Sequence, residues 1–421
     1  MKKKAIYNDL KLSEYRALFH AKRVLVVGAG AVGSFLMEFL ARMGVSPDVI
    51  DFDHFTLENA AKHSCLVRCP EDADRNKAEC VSARVQPLLD EGCTSNGIDG
   101  NLCNLGPEAF SDYDAVFFVV DNYDAKILGN ELIRSLPEER RPVMVMAGTK
   151  GEAAQSTIID GSDFCLHCLI ADQWIPDSSI RTSCIGVQTR VRDGVTEIVR
   201  TTDRASSMAA YLATEQFRGF VIGIPGIMNR RLNYTSFPNI EISSSYPMKK
   251  KNCPGCEVEP PEKIEWLHGT VLKVTLAEAL KQITEKSGND DFELAVHELN
   301  FRRENYSEFV TTAGCSCCGK TLKIMRHNGF LFPEDLICET CKAEHRTGHV
   351  NAPAETIQAF SKHTDSEIQN KTLYQLGFSL GAHLEVYQRS EGGLDILDQN
   401  ITKKIFSFDQ DHAQMHKIHK L

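Results

Sequence analysis

Arg23-Val-Leu-Val-Val-Gly-Ala-Gly-Ala-Val-Gly33 is the stretch that decides the fold of this 421-residue chain. Its opening part, Arg23–Val27, is apolar after the first residue, which predicts a parallel strand buried between helices. Gly28, Gly30 and Gly33 follow as a G-x-G-x-x-G turn, and the next apolar residues recur at helical spacing. Strand, glycine turn and helix together predict the phosphate-cradling start of a Rossmann-like unit.

Strand and helix patterns continue to alternate after this unit. A second strand leads into Asp51, and apolar residues at helical spacing predict a helix over residues 74–89. Further buried strands are predicted over residues 115–120, 142–147 and 156–159. The alternation predicts an α/β fold with a mostly parallel sheet and flanking helices, in which ligands bind at the carboxyl ends of the strands.

The composition is that of an ordinary globular protein, with 42% apolar and 25% charged residues. A formal net charge of −10 argues against a nucleic-acid partner, since nucleic acids bind to basic surfaces. No apolar run approaches the roughly 18–20 residues that a membrane span needs, so no membrane partner is expected. The lysines after Met1 are not followed by an apolar stretch, which predicts no signal peptide and a cytoplasmic location.

Polar residues after the glycine turn indicate which nucleotide binds. The turn and Asp51 alone also fit an NAD-dependent dehydrogenase. Asn59, Lys62 and Lys77 favour ATP instead, because a triphosphate needs its charge neutralised near the site of attack. Asp121 closes a predicted strand at the mouth of the same cleft, where a carboxylate oxygen suits Mg²⁺. The sequence therefore predicts a site for ATP and magnesium.

Four stretches carry a resemblance to the ThiF family, which includes the ubiquitin-activating enzymes and the MoeB-type activators of sulfur carriers. They are Val26–Gly33, Ile50–Asn59, Arg75–Glu79 and Val120–Lys126. The resemblance covers roughly residues 20–260. It implies an adenylation fold that uses ATP and Mg²⁺.

The resemblance also implies roles for individual residues. Asp51 holds the ribose hydroxyls, and Asn59 and Lys77 contact the phosphates. Asp121 places the magnesium ion and the adenylate. The whole implied nucleotide-binding set is Gly28, Gly30, Gly33, Asp51, Asp53, Asn59, Lys62, Lys77, Asp121 and Asn122.

Two departures from the family pattern concern positive charge. Lys62 stands where the family usually has Arg, and lysine keeps the charge but loses the bidentate fork. The N-terminal Arg pair of the family is missing, and Arg16 is a candidate substitute. Any contribution of a partner subunit to the site is therefore open.

Fifteen cysteines, eight of them in four C-x-x-C pairs, indicate metal binding. Without a signal peptide, zinc is favoured over disulfides, and a redox dithiol is the alternative for one pair. The first two pairs predict a closed, structural, tetrahedral zinc site: Cys165, Cys168, Cys253 and Cys256. The last two pairs have zinc-ribbon spacing over about residues 311–345: Cys315, Cys318, Cys338 and Cys341.

Cys184 lies between the two pairs of the first zinc site. A thiol needs a nearby cation to attack as a thiolate, and Arg181 and Arg190 are close in sequence. In thioester-forming members of the family, the catalytic cysteine also follows the first zinc pair. Cys184 therefore joins Lys77 and Asp121 as a predicted catalytic residue, with an ordinary buried cysteine as the alternative. Other cysteines near the nucleotide site are interpreted as structural: Cys65, Cys69 and Cys80.

A Pro-rich, charged stretch near residue 260 predicts a boundary between two domains. Residues 1–260 are predicted to form the adenylation domain, with its zinc and its catalytic-cysteine segment. Residues 261–421 form a C-terminal region with the zinc ribbon and, over about 370–421, a segment similar to the end of ubiquitin-like folds. The amphipathic helix predicted over 206–221 corresponds to a family helix near the dimer interface, so a homodimer is expected.

The resemblance implies activation of a ubiquitin-like protein with ATP. The C-terminal carboxylate of that protein is adenylated, captured as a thioester by Cys184 and passed to a conjugating enzyme. The compact single chain resembles the activating enzymes of bacterial ubiquitin-like conjugation systems, some of which serve antiviral defence. The alternatives are a MoeB-like sulfur-carrier adenylyltransferase without a lasting thioester, and a non-catalytic adenylation-fold scaffold.

Overall fold

The computed structural model describes residues 12–56, 72–121, 123–161, 164–170, 189–192, 195–198, 202–236, 239–251, 253–256, 260–295, 309–327, 336–343, 353–357, 359–388 and 403–411. The chain divides into two compact units. Unit 1 comprises Met1–Leu102, Phe110–Val258 and His416–Leu421, and unit 2 comprises Cys103–Ala109 and Glu259–Met415. Within the described part, no helix is long and apolar enough to span a membrane.

Unit 1 contains ten strands and six helices among its described residues. The strands are β1 (Arg23–Val27), β2 (Ser46–Asp51), β3 (Gly97–Asp99), β4 (Ala115–Phe118), β5 (Val143–Lys150), β6 (Ala153–Ile159), β7 (Thr189–Arg192), β8 (Val195–Ile198), β9 (Arg230–Thr235) and β10 (Glu241–Ser245). The helices are α1 (Leu12–His20), α2 (Ala31–Met43), α3 (Lys77–Val85), α4 (Tyr123–Arg134), α5 (Leu166–Ile170) and α6 (Asp203–Val221).

Eight of these strands form one sheet in the order β10-β9-β6-β5-β4-β1-β2-β3. Strands β3, β2, β1, β4 and β5 are parallel, and the run from β5 through β6 and β9 to β10 is antiparallel. Val27 pairs with Ile50 and with Phe118, so β1, β2 and β4 end at the same edge of the sheet. The predicted α/β fold with a mostly parallel sheet and flanking helices is confirmed.

Helices cover both faces of this sheet. Phe117 and Phe118 are consecutive in β4 and therefore point to opposite faces. The Phe117 ring meets Phe217 of α6 edge to face, with centroids 5.6 Å apart. The Phe118 ring lies against Gly129 of α4, where a Cβ would be 2.1 Å away. Both phenyl rings are fully buried, which stabilises the fold by about 1.5–3 kcal/mol each.

The helix predicted over residues 74–89 is shorter in the structure. It begins at Lys77 because the Asn76 side chain caps it, accepting the backbone N–H of Glu79. It ends at Val85, where a 3₁₀ turn containing Pro87 follows. Proline lacks the N–H that a further α-helical turn needs.

Unit 2 contains eight strands and three helices among its described residues. The strands are β11 (Ile264–Leu267), β12 (Phe292–Ala295), β13 (Phe309–Gly314), β14 (Thr321–His327), β15 (Pro353–Ile357), β16 (Ala359–Phe360), β17 (Leu384–Gln388) and β18 (Lys403–Phe408). The helices are α7 (Leu276–Ser287), α8 (Glu339–Ala343) and α9 (Ser366–Gln369). One sheet has the order β11-β18-β17-β12-β16, and another has the order β14-β13-β15.

The strands of the segment over 370–421 belong to a larger sheet. Strand β17 pairs with β12, and β18 pairs with β11 in parallel. Strands β17 and β18 also pair with each other, so among the described residues the segment contributes two adjacent strands to a five-stranded sheet.

Candidate functional site

The glycine turn joins β1 to α2 at the carboxyl end of the parallel strands. Gly28 has a φ of +104°, and a Cβ there would lie 2.8 Å from Val120 Cγ1. A Cβ on Gly33 would lie 2.0 Å from the Gly28 carbonyl oxygen. The fold itself therefore requires glycine at these two positions. Gly30 differs, because a Cβ there would meet no other atom within 4 Å.

Asp51 ends β2 beside the glycine turn. Its carboxylate accepts the backbone N–H of Ala29 at 2.7 Å and that of Asp53 at 2.9 Å. Desolvation by burial raises the pKa of Asp51, against the lowering effects of the Asp53 hydrogen bond and the Lys77 charge. Each carboxylate oxygen keeps a second lone pair, so two acceptor positions remain for a ligand.

Lys77 begins α3 at the same edge of the sheet. Its Nζ forms an ion pair with Asp53 Oδ2 at 2.8 Å, and the two side chains are only 12% and 11% exposed. The backbone N–H of Lys77 also donates to the Asp53 carbonyl oxygen at 2.8 Å. The structure thus brings two of the predicted nucleotide-binding residues together, with the lysine charge balanced by the aspartate.

Asn76 is a structural residue of the site that the sequence motifs did not indicate. Its Nδ2 donates to the carbonyl oxygens of Asp51 and Asp53, and to Asp99 Oδ1 at 2.9 Å. Its Oδ1 caps α3. One side chain therefore ties the start of α3 to the end of β2. The N-cap preference of asparagine was the only sequence signal for it.

Asp121 lies between β4 and α4 and is exposed. The Val119 N–H donates to the Val27 carbonyl oxygen at 3.1 Å, which continues the pairing of β4 with β1 toward the turn. Val120 then packs against Gly28. The chain therefore reaches Asp121 directly beside the glycine turn.

Four predicted site residues lie outside the described residues: Asn59, Lys62, Asn122 and Cys184. Arg16, the candidate for the missing arginine pair, lies on α1 and pairs with Asp90. Asp90 lies beside Gly44, which precedes β2. This is the amino end of β2, opposite to the glycine turn. Within one chain, Arg16 therefore does not reach the nucleotide residues, and its interpretation as their completing cation is wrong for a single chain.

The first predicted zinc site is assembled in unit 1 and is called the zinc frame: Cys165, Cys168, Cys253 and Cys256. All four Sγ atoms lie within 4.8 Å of one another. Cys165 Sγ is 3.7 Å from Cys253 Sγ and 3.4 Å from Cys256 Sγ. Zn–S bonds of about 2.3 Å in a tetrahedron place sulfurs about 3.8 Å apart, so the frame fits zinc. Hydrogen bonds from Cys165 and Cys253 lower the pKa of Cys168, whereas hydrogen bonds with Cys168 and Cys253 raise the pKa of Cys165. Metal binding requires all four cysteines as thiolates.

The second cluster lies in unit 2 and is called the ribbon site: Cys315, Cys318, Cys338 and Cys341. Its four Sγ atoms also lie within 4.8 Å of one another. The Cys315–Cys341 and Cys318–Cys338 sulfur separations are both 3.7 Å. Backbone hydrogen bonds from Cys318 and Cys317 lower the pKa of Cys315 to about 6. This cluster therefore fits a second zinc ion.

A model of the ThiF family matches residues 2–329. The chain belongs to the ThiF family. The match extends beyond the roughly 20–260 over which the sequence motifs carried the resemblance, into unit 2.

Several curated proteins resemble parts of this ThiF-family chain. It is 25% identical over 150 residues to the sulfur carrier protein ThiS adenylyltransferase of Bacillus subtilis. That alignment covers 35% of this chain and 44% of the relative. It is 27% identical over 173 residues to the SAMP-activating enzyme E1 of Haloferax volcanii, covering 40% and 61%. It is 30% identical over 141 residues to the tRNA threonylcarbamoyladenosine dehydratase of Haemophilus influenzae, covering 32% and 51%. The alignments thus span about half the length of these relatives.

Two free thiols of unit 1, Cys80 on α3 and Cys93 beside Gly44, are poor nucleophiles. Desolvation by burial raises the pKa of Cys80, as does the charge of Asp72. Burial likewise raises the pKa of Cys93. A raised pKa lowers the thiolate fraction at neutral pH. The interpretation of Cys80 as structural agrees with this, while Cys65 and Cys69 lie outside the described residues.

Proposed function

We propose that this ThiF-family chain is an adenylyltransferase that activates the C-terminal carboxylate of a ubiquitin-like protein with ATP. The observation that carries the proposal is the nucleotide edge: the glycine turn with Asp51, Lys77 and Asp121 at the carboxyl ends of β1, β2 and β4. It combines accessible backbone N–H groups, a carboxylate acceptor and a cation. A nucleoside triphosphate needs all three, since it carries a ribose and concentrated negative charge.

Each part of the nucleotide edge has a role in holding ATP. Gly30 is not required by the protein's own packing, but it lets phosphate oxygens approach the backbone at the start of α2. The positive end of the α2 dipole favours that charge. The two remaining acceptor positions of Asp51 suit the ribose hydroxyls. The Lys77 ammonium group donates its remaining N–H bonds to phosphate oxygens, with Asp53 holding that group in place.

The adenylation step has a simple balance of bonds. A carboxylate oxygen of the substrate attacks the α-phosphorus, the bond from that phosphorus to the bridging oxygen breaks, and pyrophosphate leaves with the electron pair. The chain's residues fix the α-phosphorus in line with the incoming carboxylate and screen the repulsion between the two anions. Asp121 is the residue that would hold Mg²⁺, which neutralises phosphate charge when bound.

The second step that we propose is capture by Cys184. The thiolate sulfur attacks the acyl carbon, the bond from that carbon to the AMP oxygen breaks, and AMP leaves. A thioester keeps the transfer potential that hydrolysis would lose, so it can pass to a conjugating enzyme. The raised pKa values of Cys80 and Cys93 make these described thiols weaker candidates. A homodimer and a place in a bacterial conjugation or antiviral system rest on the family resemblance alone.

A second candidate is a sulfur-carrier adenylyltransferase that stops after the first step. The likeness to the ThiS adenylyltransferase of Bacillus subtilis favours it. Both candidates use the nucleotide edge in the same way. They differ in whether Cys184 holds the substrate.

The test is ATP–pyrophosphate exchange with the full-length chain. The substrates are a panel of ubiquitin-like and sulfur-carrier proteins that end in glycine, with tRNA included because one relative is a tRNA-modifying enzyme. We expect exchange with at least one protein, loss of exchange in Asp121→Ala, and an adduct that thiols release. Cys184→Ser should keep exchange and lose the adduct. Exchange with no protein of the panel, or only with tRNA, contradicts the proposal.

A further inference from the structure

Helix α4 carries two buried polar side chains on one face. Asn130 and Arg134 are four residues apart, which places them on the same side of the helix. Asn130 is completely buried and Arg134 is 8% exposed. Polar groups of this kind stay inside a protein only where they are hydrogen-bonded, so the question is what each one holds.

The two side chains hold the two halves of the zinc frame. Asn130 Oδ1 accepts the backbone N–H of Leu166 at 2.9 Å, next to the first cysteine of the first pair. Arg134 Nη2 donates to the carbonyl oxygen of Cys256 at 3.1 Å, in the second pair. Arg134 Nη1 donates to the carbonyl oxygen of Gly161. One helix therefore forms hydrogen bonds to both Cys-x-x-Cys turns, although Cys165 and Cys253 are 88 residues apart in sequence.

The other end of the Asn130 amide lies near Gly255 and the Cys165 sulfur. Among the described residues, its Nδ2 has no hydrogen-bond partner. The Leu166 bond fixes which end of the amide is oxygen, so Nδ2 is a donor. A Cβ on Gly255 would lie 3.0 Å from Cys165 Sγ and 3.1 Å from Asn130 Nδ2. The sulfur and the amide thus border the same small gap, and glycine at position 255 leaves it open.

We propose that Asn130 donates an N–H···S hydrogen bond to the Cys165 thiolate of the zinc-loaded frame, and that Asn130 and Arg134 together lock α4 onto it. Four thiolates and one Zn²⁺ carry a net charge of −2, so a hydrogen bond from a buried donor beside a sulfur is favourable. Outer partners of this kind fix the orientation of metal ligands and tune their basicity. Asn130 and Arg134 are positioning residues in this arrangement.

The attachment of α4 to the zinc frame also affects the nucleotide edge, and this effect on ATP binding rests on the proposed function. Helix α4 begins at Tyr123, two residues after Asp121. Because an α-helix is stiff over about three turns, hydrogen bonds at Asn130 and Arg134 also restrict the position of the first turn of α4. The zinc frame thereby holds Asp121 in place beside the glycine turn. Loss of zinc is expected to weaken Mg·ATP binding even though no frame cysteine belongs to the nucleotide edge.

The test is zinc release from the full-length chain into a chromogenic chelator. Asn130→Asp keeps the oxygen that accepts from Leu166 but replaces the donor by a negative charge. We expect zinc release from the frame to accelerate about 10- to 100-fold, while the ribbon site in the same sample keeps its rate. Gln216→Glu is the matched control, because Gln216 is also fully buried and its amide bonds Ser156 and Arg230. A wild-type rate in Asn130→Asp, or an equal acceleration in Gln216→Glu, overturns the proposal.

A spectroscopic readout tests the hydrogen bond itself. With Co²⁺ in place of zinc, the sulfur-to-metal charge-transfer band reports the energy of the thiolate lone pairs. Loss of the Asn130 donor raises that energy, so the band should move to longer wavelength in Asn130→Asp. Asn130→Ala should do the same because it removes the donor without adding a charge, and it serves if the buried charge of Asn130→Asp prevents folding. An unshifted band in the folded variants refutes the bond.

The two proposals fail separately. If wild-type protein does not bind Mg·ATP while Asn130→Asp releases zinc faster, the proposed function is wrong and the hydrogen bond stands. If wild-type protein binds Mg·ATP and Asn130→Asp releases zinc at the wild-type rate, the hydrogen bond is wrong and the proposed function stands.

Discussion

Gly30 and Gly33 lie three residues apart in one turn, yet the structure predicts opposite results for the same substitution. Gly33→Ala places a Cβ 2.0 Å from the Gly28 carbonyl oxygen, which is backbone and cannot rotate away. Alanine is better than glycine inside a helix by about 1 kcal/mol, but overpacking costs about 1–3 kcal/mol, toward the upper end here. We expect Gly33→Ala to lower the free energy of unfolding by about 1–2 kcal/mol. For a unit of this size, the midpoint temperature should fall by roughly 2–8 °C.

Gly30→Ala meets no protein atom within 4 Å, and Gly30 has an ordinary φ of −75°. Alanine is a poorer N-cap than glycine by up to about 1 kcal/mol. Alanine also restricts the unfolded chain more than glycine does, which stabilises the folded state by about 0.4–1 kcal/mol. The free energy of unfolding should therefore stay within about 1 kcal/mol of wild type. A phosphate that approaches this backbone would meet the new methyl group, so ATP affinity should fall about tenfold or more, which is about 1.4 kcal/mol.

The assays are thermal unfolding followed by circular dichroism and Mg·ATP binding followed by calorimetry, on both variants. The expected pattern is a stable Gly30→Ala that binds ATP poorly and a destabilised Gly33→Ala. Wild-type ATP affinity in a folded Gly30→Ala would refute the reasoning that phosphate passes over this residue. Wild-type stability in Gly33→Ala would show that the close contact between position 33 and the Gly28 carbonyl oxygen does not require glycine.

Three further outcomes follow from the same geometry. Burial raises the pKa of Asp51 above 3.8, so the native state binds this proton more tightly than the unfolded chain and loses stability as pH rises through that window. Asp51→Asn should remove this pH dependence because an amide does not titrate, while the loss of one acceptor for the Ala29 and Asp53 N–H groups costs about 1–3 kcal/mol and ATP binding weakens; a pH profile of stability identical to that of wild type counts against this. Asp53→Asn leaves the largely buried Lys77 ammonium without its charged partner at 2.8 Å. The free energy of unfolding, measured in urea, should fall by about 1–3 kcal/mol. An unchanged value would contradict a stabilising role for this ion pair. Purified protein should hold two zinc ions by elemental analysis, and a frame-cysteine variant one; a single ion in wild type would contradict the assignment of both clusters.

The nucleotide edge could be predicted from the sequence because its signals are local. The apolar run of β1, the glycine turn and the spacing of α2 follow one another within about twenty residues. Asp51 ends β2 as predicted, and Asp121 lies three residues beyond the end of β4, which is two residues shorter than the predicted strand. Both lie at one edge because parallel strands end there. The zinc frame was predicted from two short motifs, and the sheet brings them together.

The remaining features depend on contacts that local sequence does not encode. Asn76 acts through backbone carbonyl oxygens 23 and 25 residues away, which any residue type supplies. The segment Cys103–Ala109 lies within the sequence of the first unit but belongs to unit 2. There the Gly106 N–H donates to the Leu380 carbonyl oxygen, and His383 pairs with Glu108 at 2.9 Å, both almost fully buried. No periodicity within seven residues indicates such long-range pairing.

Helix α4 runs from the nucleotide edge to the zinc frame. The sequence pattern did not indicate this connection. The apolar spacing of this helix predicts only its packing against the sheet. Asn130 and Arg134 stand out once their burial and their partners are known. Buried polar residues on an amphipathic helix are therefore the signal to look for in similar chains.

We propose that the carboxyl ends of β1, β2 and β4 bind a triphosphate together with magnesium. Calorimetric titration of the wild-type chain with ATP, in the presence and absence of Mg²⁺, tests it most directly, with NAD⁺ as the competing ligand. We expect ATP to bind, magnesium to strengthen that binding, Asp121→Ala to weaken it, and NAD⁺ not to bind. Binding of NAD⁺ without binding of Mg·ATP would contradict it.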